Sequence, residues 1–231
     1  MAKLKPRARI IRTIGDKLIS GPEAAIIELV KNSYDADSPY VNITFIPPKY
    51  KNYVNSNSPV EEEGSITISD NGHGMTKSDL ENIWLEPATD EKTQNRKSRS
   101  GKRTVLGAKG VGRFATASLG NSIELTTIAE QNGELKKCQL SLDWDIFEKA
   151  KYLEEIDIEI KELPIVDGDK TGVTIQVIGL KNIWGQERLR SLIQELRKLA
   201  TPQNQELTPF TIKLDLKKYK LSSQKKEYQQ K

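Results

Sequence analysis

Hydrophobic and polar positions alternate along the chain in patterns that predict short strands and a few helices. In the stretch AAIIELVKNSYDAD, residues 24–37, apolar residues recur three and four positions apart, which predicts a helix with one face against a sheet. A second amphipathic helix is predicted at residues 187–199. Period-two alternation predicts strands at residues 41–45, 65–69, 122–129, 136–142, 156–163, 171–178 and 210–216. Because the strands and helices lack regular strand-helix-strand spacing, they predict an α+β sandwich.

Glycine-rich and polar stretches mark the connections between these elements. The turn residues at 132–133 and 167–169 predict two hairpins. Residues 49–64 are polar and predict an exposed insertion or hairpin loop. Residues 76–106 are basic, with little periodicity beyond a short helix around Leu80. A loop of this length leaves two alternatives, a lid over a binding site and a disordered segment.

Composition and charge narrow the class of protein. The chain has 231 residues, a formal net charge of +4 and 36% hydrophobic residues, which is enough to bury a sizeable core. No apolar run has the length of a membrane span and the N-terminus lacks a signal-peptide pattern, so the sequence predicts a cytoplasmic protein that does not contact membranes. One cysteine, Cys138, excludes an internal disulfide, and one histidine, His73, excludes a zinc site built from histidines.

The predicted helix at residues 24–37 carries three polar side chains on one side. Glu28, Asn32 and Asp35 are four and three residues apart, so they share a face beside the apolar one. By itself this pattern is typical of an amphipathic helix with a solvated stripe. Its meaning depends on the motifs that follow.

Two glycine-rich motifs follow. SDNGHGM, residues 69–75, places an acid at the end of a strand and then lets the backbone turn tightly beside a flat or charged ligand, although Asn-Gly also marks ordinary turns. GAKGVG, residues 107–112, precedes a helix predicted at 113–119. Converging backbone N–H groups and a helix N-terminus suit phosphate. The second motif is neither a Walker sequence nor a dinucleotide fingerprint.

In chain order, ELVKNSYDAD, SDNGHGM, GAKGVG and TGVTI resemble the ATP-binding domain of the GHKL superfamily. This domain is shared by type II topoisomerases such as gyrase, ninety-kilodalton heat-shock chaperones, histidine kinases, and MutL and Morc proteins. The motifs are most similar to the chaperone, MutL and Morc branch, over roughly residues 8–180. The resemblance implies a Bergerat-type two-layer sandwich, with a mixed, mostly antiparallel sheet and helices on one face enclosing the nucleotide. It implies an ATP-binding domain at residues 1–180. Residues 181–231 would then be a C-terminal extension with a mobile tail, packing on this domain or leading to a downstream one.

The resemblance also implies roles for individual residues. Glu28 matches the general base that activates water, and Asn32 the Mg²⁺ ligand. Asp35 would support the sugar-facing side of the nucleotide, and Asp70 would accept a hydrogen bond from the adenine amino group. The other residues assigned to ATP are Gly72, Gly74 and Met75 at the base, Gly107, Lys109, Gly110, Val111 and Gly112 at the phosphates, and Thr174 beside Asp70 and an adenine-bound water.

The implied activity is Mg²⁺-dependent ATP binding and slow hydrolysis to ADP and phosphate. It would act as a conformational switch in a larger protein, with an ATP-dependent homodimer as the closed form. Two alternatives remain, phosphotransfer to a protein as in histidine kinases and nucleotide binding without turnover. In gyrase-like, MutL-like and chaperone relatives a following domain supplies a lysine or arginine to the γ-phosphate, and no residue after Leu180 matches it.

The client of such a switch is open to two interpretations. A downstream domain or a client protein is expected, and nucleic acid is compatible with the basic residues Lys97, Arg99, Lys102 and Arg103 of the lid. A solvated lid explains these charges equally well. The mild net charge permits contact with nucleic acid without predicting it.

Overall fold

The fold is a mixed sheet covered by helices. It is given by a computed structural model that describes residues 5–11, 13, 20–50, 60–86, 96–107, 112–200 and 209–216. The helices within these ranges are α1 (Pro22–Asp35), α2 (Lys77–Asp79, continued by a π-helical turn at Leu80–Trp84), α3 (Thr116–Leu119), α4 (Ile146–Lys149) and α5 (Gln186–Ala200). The strands are β1 (Tyr40–Ile46), β2 (Lys49–Tyr50), β3 (Val60–Glu62), β4 (Ser65–Asp70), β5 (Gly120–Gln131), β6 (Glu134–Asp143), β7 (Ile160–Leu163), β8 (Gly172–Leu180) and β9 (Thr211–Asp215).

The main sheet has seven strands in the order β7-β6-β5-β8-β4-β1-β9. All neighbouring pairs are antiparallel except β1 and β9, which are parallel. Strands β2 and β3 form a separate antiparallel pair, as expected for the polar hairpin. The predicted α+β class with a mixed, mostly antiparallel sheet is confirmed.

The helical layer packs on one face of this sheet. Helix α1 contacts β1 and β4, and both α3 and α5 pack beside it. Alternation sets the buried face of each strand, so that Val41, Ile43 and Phe45 of β1 are buried and the residues between them are not. None of the described helices is long and apolar enough to cross a bilayer.

The part of the chain after residue 180 shares this sheet and core. Strand β9 adds the seventh strand by pairing with β1, and the buried leucines of α5 belong to the same hydrophobic cluster as α1. Trp184 packs edge-on against Phe45, with ring centres 5.0 Å apart. A division of the chain at residue 180 stays a prediction, and the tail after residue 216 lies outside the described residues.

Three local expectations were wrong. The turn at 167–169 joins β7 to β8, and β6 and β5 lie between these two strands, so it is not a hairpin. The segment predicted as a strand from residue 156 pairs with the sheet only in β7, after a 3₁₀ turn at Leu153–Glu155. The stretch 113–119 is a 3₁₀ turn, Gly112–Ala115, followed by the single turn of α3. So short a helix contributes little dipole to a phosphate site.

Candidate functional site

Helix α1 holds the first group of predicted site residues. The helix begins after Gly21, whose φ of 95° is not helical, and Pro22 occupies the first helical position. It ends at Asp35, after which Asp37 takes a positive φ of 60° and turns the chain into β1. Glu28 and Asn32 therefore lie one turn apart near the middle of a helix whose apolar face is fixed on the sheet.

The carboxylate of Glu28 lies beside the glycine loop. A Cβ atom placed on Gly112 would be 3.0 Å from Glu28 Cβ and 3.4 Å from Glu28 Oε2. The other oxygen, Oε1, accepts a hydrogen bond from Lys31 Nζ at 2.8 Å, and both side chains are partly exposed. No role was assigned to Lys31 from sequence, although its spacing of three residues from Glu28 is that of a helical ion pair.

The carboxylate of Asp70 is held at the end of β4 by three hydrogen bonds. Its Oδ1 accepts the backbone N–H groups of Gly72 (2.9 Å) and Val173 (3.3 Å), and its Oδ2 accepts the hydroxyl of Ser33 (2.8 Å). A carboxylate has about four acceptor positions, so among the described residues one position on Oδ2 is left for a ligand. Burial raises the pKa of Asp70 above its ordinary value, against the opposing effect of these hydrogen bonds.

The two glycines after Asp70 are required by close backbone packing. A Cβ atom on Gly72 would lie 2.5 Å from the carbonyl oxygen of Ala36, at the end of α1. Gly74 has a φ of 69°, and a Cβ atom there would overlap the carbonyl oxygen of Ile128 in β5. These contacts pack the motif between the end of α1 and β5, with Asp70 beside Ser33 of the helix.

Thr127 on β5 holds the end of this motif, and the sequence analysis missed it. Its hydroxyl accepts the N–H of Met75 at 2.7 Å and lies within hydrogen-bond distance of the carbonyl oxygens of Met75 (3.2 Å) and Gly172 (3.3 Å). Thr127 is 1% exposed, and a hydroxyl buried to this extent almost always has a hydrogen-bond partner. A polar residue on the core-facing side of a strand was the feature that could have identified it.

Thr174 does not hold Asp70 as predicted. The bond to Asp70 comes from the backbone N–H of Val173, the preceding residue. Thr174 itself pairs with Ser69 and Thr126, and successive side chains of a strand point to opposite faces of the sheet. In the described part of the chain it makes no hydrogen bond with Asp70. The water assigned to Thr174 beside the adenine stays a prediction.

Asp35 binds the chain that leads into the glycine loop. It is 8% exposed, and its two oxygens accept the backbone N–H groups of Leu106 (2.7 Å) and Gly107 (3.1 Å). The Gly107 N–H, predicted to face a phosphate, is thus donated to Asp35. The nucleotide contacts predicted for both residues stay predictions. Residues 108–111, which include Lys109, Gly110 and Val111, lie outside the described residues.

Residues 96–107, here named the strap, form a small hairpin docked on the end of α1. Lys97 and Thr104 form an antiparallel bridge, and the chain turns at Gly101. Ser100 donates its backbone N–H (2.7 Å) and its hydroxyl (2.8 Å) to the carboxylate of Asp37. The predicted lid therefore includes a folded segment that is anchored to α1, whereas its residues 87–95 lie outside the described residues.

Electrostatics favour the docked strap. Burial opposes ionisation of Asp37, but hydrogen bonds from Ser98 and Ser100 and the charge of Arg103 outweigh it and lower the pKa of Asp37. A lowered pKa in the folded state means that the contact stabilises the fold above the ordinary pKa of aspartate. This stabilisation is lost as the pH falls through the lowered value.

Arg103 is buried, which corrects its assignment to a basic surface for nucleic acid. It is 2% exposed, and its guanidinium donates to the backbone oxygens of Tyr34 (2.9 Å) and Ser38 (2.7 Å). The guanidinium also lies over the rings of Tyr34, at 4.6 Å, and Phe210, at 5.5 Å. Arg103 thus fastens the strap to α1 and to the residue that precedes β9. The other four basic residues of the strap, Arg96, Lys97, Arg99 and Lys102, are exposed.

We expect Arg103→Met to release the strap. Methionine keeps most of the aliphatic volume but removes the guanidinium donor of the Ser38 carbonyl oxygen and one of two donors of the Tyr34 carbonyl oxygen, which keeps the Asp37 N–H. Each lost bond costs about 1–3 kcal/mol. The free energy of unfolding in urea should fall by about 3 kcal/mol, and hydrogen exchange of the strap amides should accelerate at least about tenfold. Arg99→Met, at an exposed arginine of the same strap, is the matched control and should change neither. Unchanged exchange in the Arg103 variant would show that the strap does not depend on this residue.

Comparison with known proteins agrees with the geometry. The family model described as histidine kinase-, DNA gyrase B-, and HSP90-like ATPase matches residues 19–172, which include α1, the SDNGHGM motif and the glycine loop. A search of curated proteins found no match. The family match spans more than half of the chain, so the protein belongs to the histidine kinase-, DNA gyrase B- and HSP90-like ATPase family.

Proposed function

We propose that this domain binds ATP with Mg²⁺ and hydrolyses it slowly to ADP and phosphate, as a conformational and dimerisation switch of a larger protein. The observation that best supports hydrolysis is the position of Glu28. Its Oε2 lies beside Gly112, at the end of the loop assigned to the phosphates. A general base must lie within hydrogen-bond reach of the attacking water, and the position of Glu28 beside Gly112 supports this role.

The residues present fit the nucleotide and the metal. Asp70 has one acceptor position left for the adenine amino group, in a buried setting where such a bond discriminates strongly. Asn32 offers an amide oxygen one helical turn from Glu28. Mg²⁺ held there would neutralise phosphate charge, and a hard cation of this kind favours an amide oxygen as a ligand.

Five side chains of this chain would then divide the work. Asp70 orients the base, Asn32 binds the metal, and Glu28 accepts the proton of the attacking water. Lys31 holds Oε1 of Glu28 at 2.8 Å, which leaves Oε2 on the side of the glycine loop. Asp35 fixes the start of that loop through Leu106 and Gly107.

Product analysis in a single turnover tests this proposal against its alternatives. With γ-labelled ATP, Mg²⁺ and an excess of the full chain, we expect the label to appear as free phosphate. Label on the protein would support histidine-kinase-type phosphotransfer instead. Unchanged ATP after prolonged incubation would support binding without turnover. Sedimentation with a non-hydrolysable ATP analogue tests the dimer separately, because a chain that stays monomeric would overturn that part alone.

A further inference from the structure

A second charged site lies where the N-terminal segment meets the chain after α4. Arg7 and Tyr152 form an isolated antiparallel bridge there. The Leu153 N–H donates to the Pro6 carbonyl oxygen at 3.2 Å, and Ala8 is fully buried. Because Ala8 anchors the segment, the side chains of its neighbours Arg7 and Arg9 remain exposed.

Five cations gather at this junction. Lys5 Nζ, Arg7 Cζ and Lys151 Nζ lie 5.6, 5.3 and 5.3 Å from the ring centre of Tyr152. Arg7, Arg9, Lys149 and Lys151 also line a cleft of about 400 Å³. The basic cleft is defined here as Lys5, Arg7, Arg9, Lys149, Lys151 and Tyr152.

These cations are not neutralised by neighbouring carboxylates. Within the described residues, none of the five forms an ion pair, whereas exposed lysines elsewhere pair with glutamates, as Lys136 does with Glu134 at 2.8 Å. Among the described residues that line the cleft, Glu148 is the one acidic residue. Glu155, close in sequence, accepts the backbone N–H groups of Lys151 (3.0 Å) and Tyr152 (3.1 Å).

The positive charges of these side chains repel one another. The three cations around Tyr152 each lie within 5.6 Å of the same ring centre, so salt, with a Debye length of roughly 8 Å at physiological ionic strength, screens their repulsion only in part. The ring face offsets some of this cost, by about 0.5–1 kcal/mol per exposed cation. An anion bound between the charges would remove the repulsion and release counterions.

We propose that the basic cleft binds the phosphate backbone of one strand of a nucleic acid. Both segments that line the cleft carry cations, Arg7 and Arg9 on the N-terminal segment and Lys149 and Lys151 after β6, and Lys5 lies beside them at the Tyr152 ring. A linear chain of phosphates lying in the cleft meets both segments, whereas a flat lipid surface meets only the rim. The two arginines add planar donor groups that match phosphate oxygens in pairs.

Charge reversal tests the proposal at Arg9 and Lys149, whose side chains form no hydrogen bond, ion pair or ring contact with other described residues. Arg9→Glu combined with Lys149→Glu leaves the cations around Tyr152 in place, so the fold is expected to persist. We expect the full chain to bind a fluorescent 20-nucleotide single strand in 50 mM salt, and the double variant to bind it at least about tenfold more weakly. The slope of log affinity against log salt should shrink by about 1.4, or 0.7 for each lost phosphate contact.

Two matched variants with the same change of composition and charge locate the effect. Lys170→Glu with Arg190→Glu places the reversal at exposed residues elsewhere, and Arg99→Glu with Lys102→Glu places it on the strap. Both should bind the strand like the unaltered protein, and all three variants should retain melting temperature and ATP affinity.

An equal loss of affinity in the Lys170 and Arg190 variant would show that the effect depends only on net charge, which would overturn the proposal. A loss of affinity confined to the strap variant would show that the strap, and not the basic cleft, binds the strand. Absence of binding by the unaltered protein would also overturn the proposal. The proposal would also be overturned if the unaltered protein bound phosphatidylserine vesicles more tightly than the single strand and the cleft variant lost this vesicle binding.

Discussion

Asp70→Asn should reduce ATP affinity by about 100-fold or more. The asparagine oxygen still accepts the N–H groups of Gly72 and Val173, as Oδ1 does now. An amide nitrogen then replaces Oδ2, and it presents N–H groups to the adenine amino group, so two donors face each other in a buried site. Ser33 can accept from the new amide where it now donates to Oδ2, and the fold should therefore survive. Calorimetric titration with ADP and adenosine measures the loss.

The base itself supplies a further check on Asp70. Hypoxanthine carries a carbonyl oxygen where adenine carries its amino group, so inosine nucleotides should lose less affinity in Asp70→Asn than adenine nucleotides do. Ser33→Ala removes the neighbouring hydrogen bond without altering the acceptor, and it should weaken ATP by no more than about tenfold. ATP binding within tenfold of the unaltered protein in Asp70→Asn, with normal circular dichroism, would remove Asp70 from the adenine site.

The parts of the site that the sequence predicted are those set by local spacing. Glu28 and Asn32 lie on one side of a helix because they are four residues apart, and Asp70 ends a strand whose alternation is visible in SITIS. The same local argument predicts a tight turn at Gly72 and Gly74 beside a ligand, whereas the close contacts that require these glycines are with the backbone of Ala36 and Ile128.

The parts that the sequence did not predict depend on partners far away in the chain. Arg103 is counted among surface charges by composition, yet it is buried because Tyr34, Ser38 and Phe210 surround it. A buried arginine is stable only where its donors are satisfied, and no local pattern shows where those acceptors lie. The docking of the strap was missed for the same reason.

Strand faces and pairings were a second source of error. Thr174 and Thr127 are both threonines in predicted strands, but only Thr127 lies on the face that meets Met75, and a shift of one residue exchanges the two faces. A turn motif likewise shows that the chain reverses without showing which strands become neighbours. The segment at 167–169 therefore joins β7 to β8 across the sheet, and β9 joins β1 in parallel.

Glu28→Gln should lower the rate of ATP hydrolysis by at least about 100-fold and leave ATP affinity within about threefold. Glutamine keeps the shape beside Gly112 and an oxygen for Lys31, but its neutral amide does not accept the proton of the attacking water.

The matched control is Glu23→Gln, the same change on the same helix at a carboxylate paired with Arg188 at 3.0 Å. It should leave turnover unchanged, with at most a small cost in stability. Single-turnover phosphate release and equilibrium binding together separate chemistry from affinity. Hydrolysis at the unaltered rate in Glu28→Gln would exclude Glu28 as the base, and an equal loss in Glu23→Gln would show that the effect comes from the helix and not from the site.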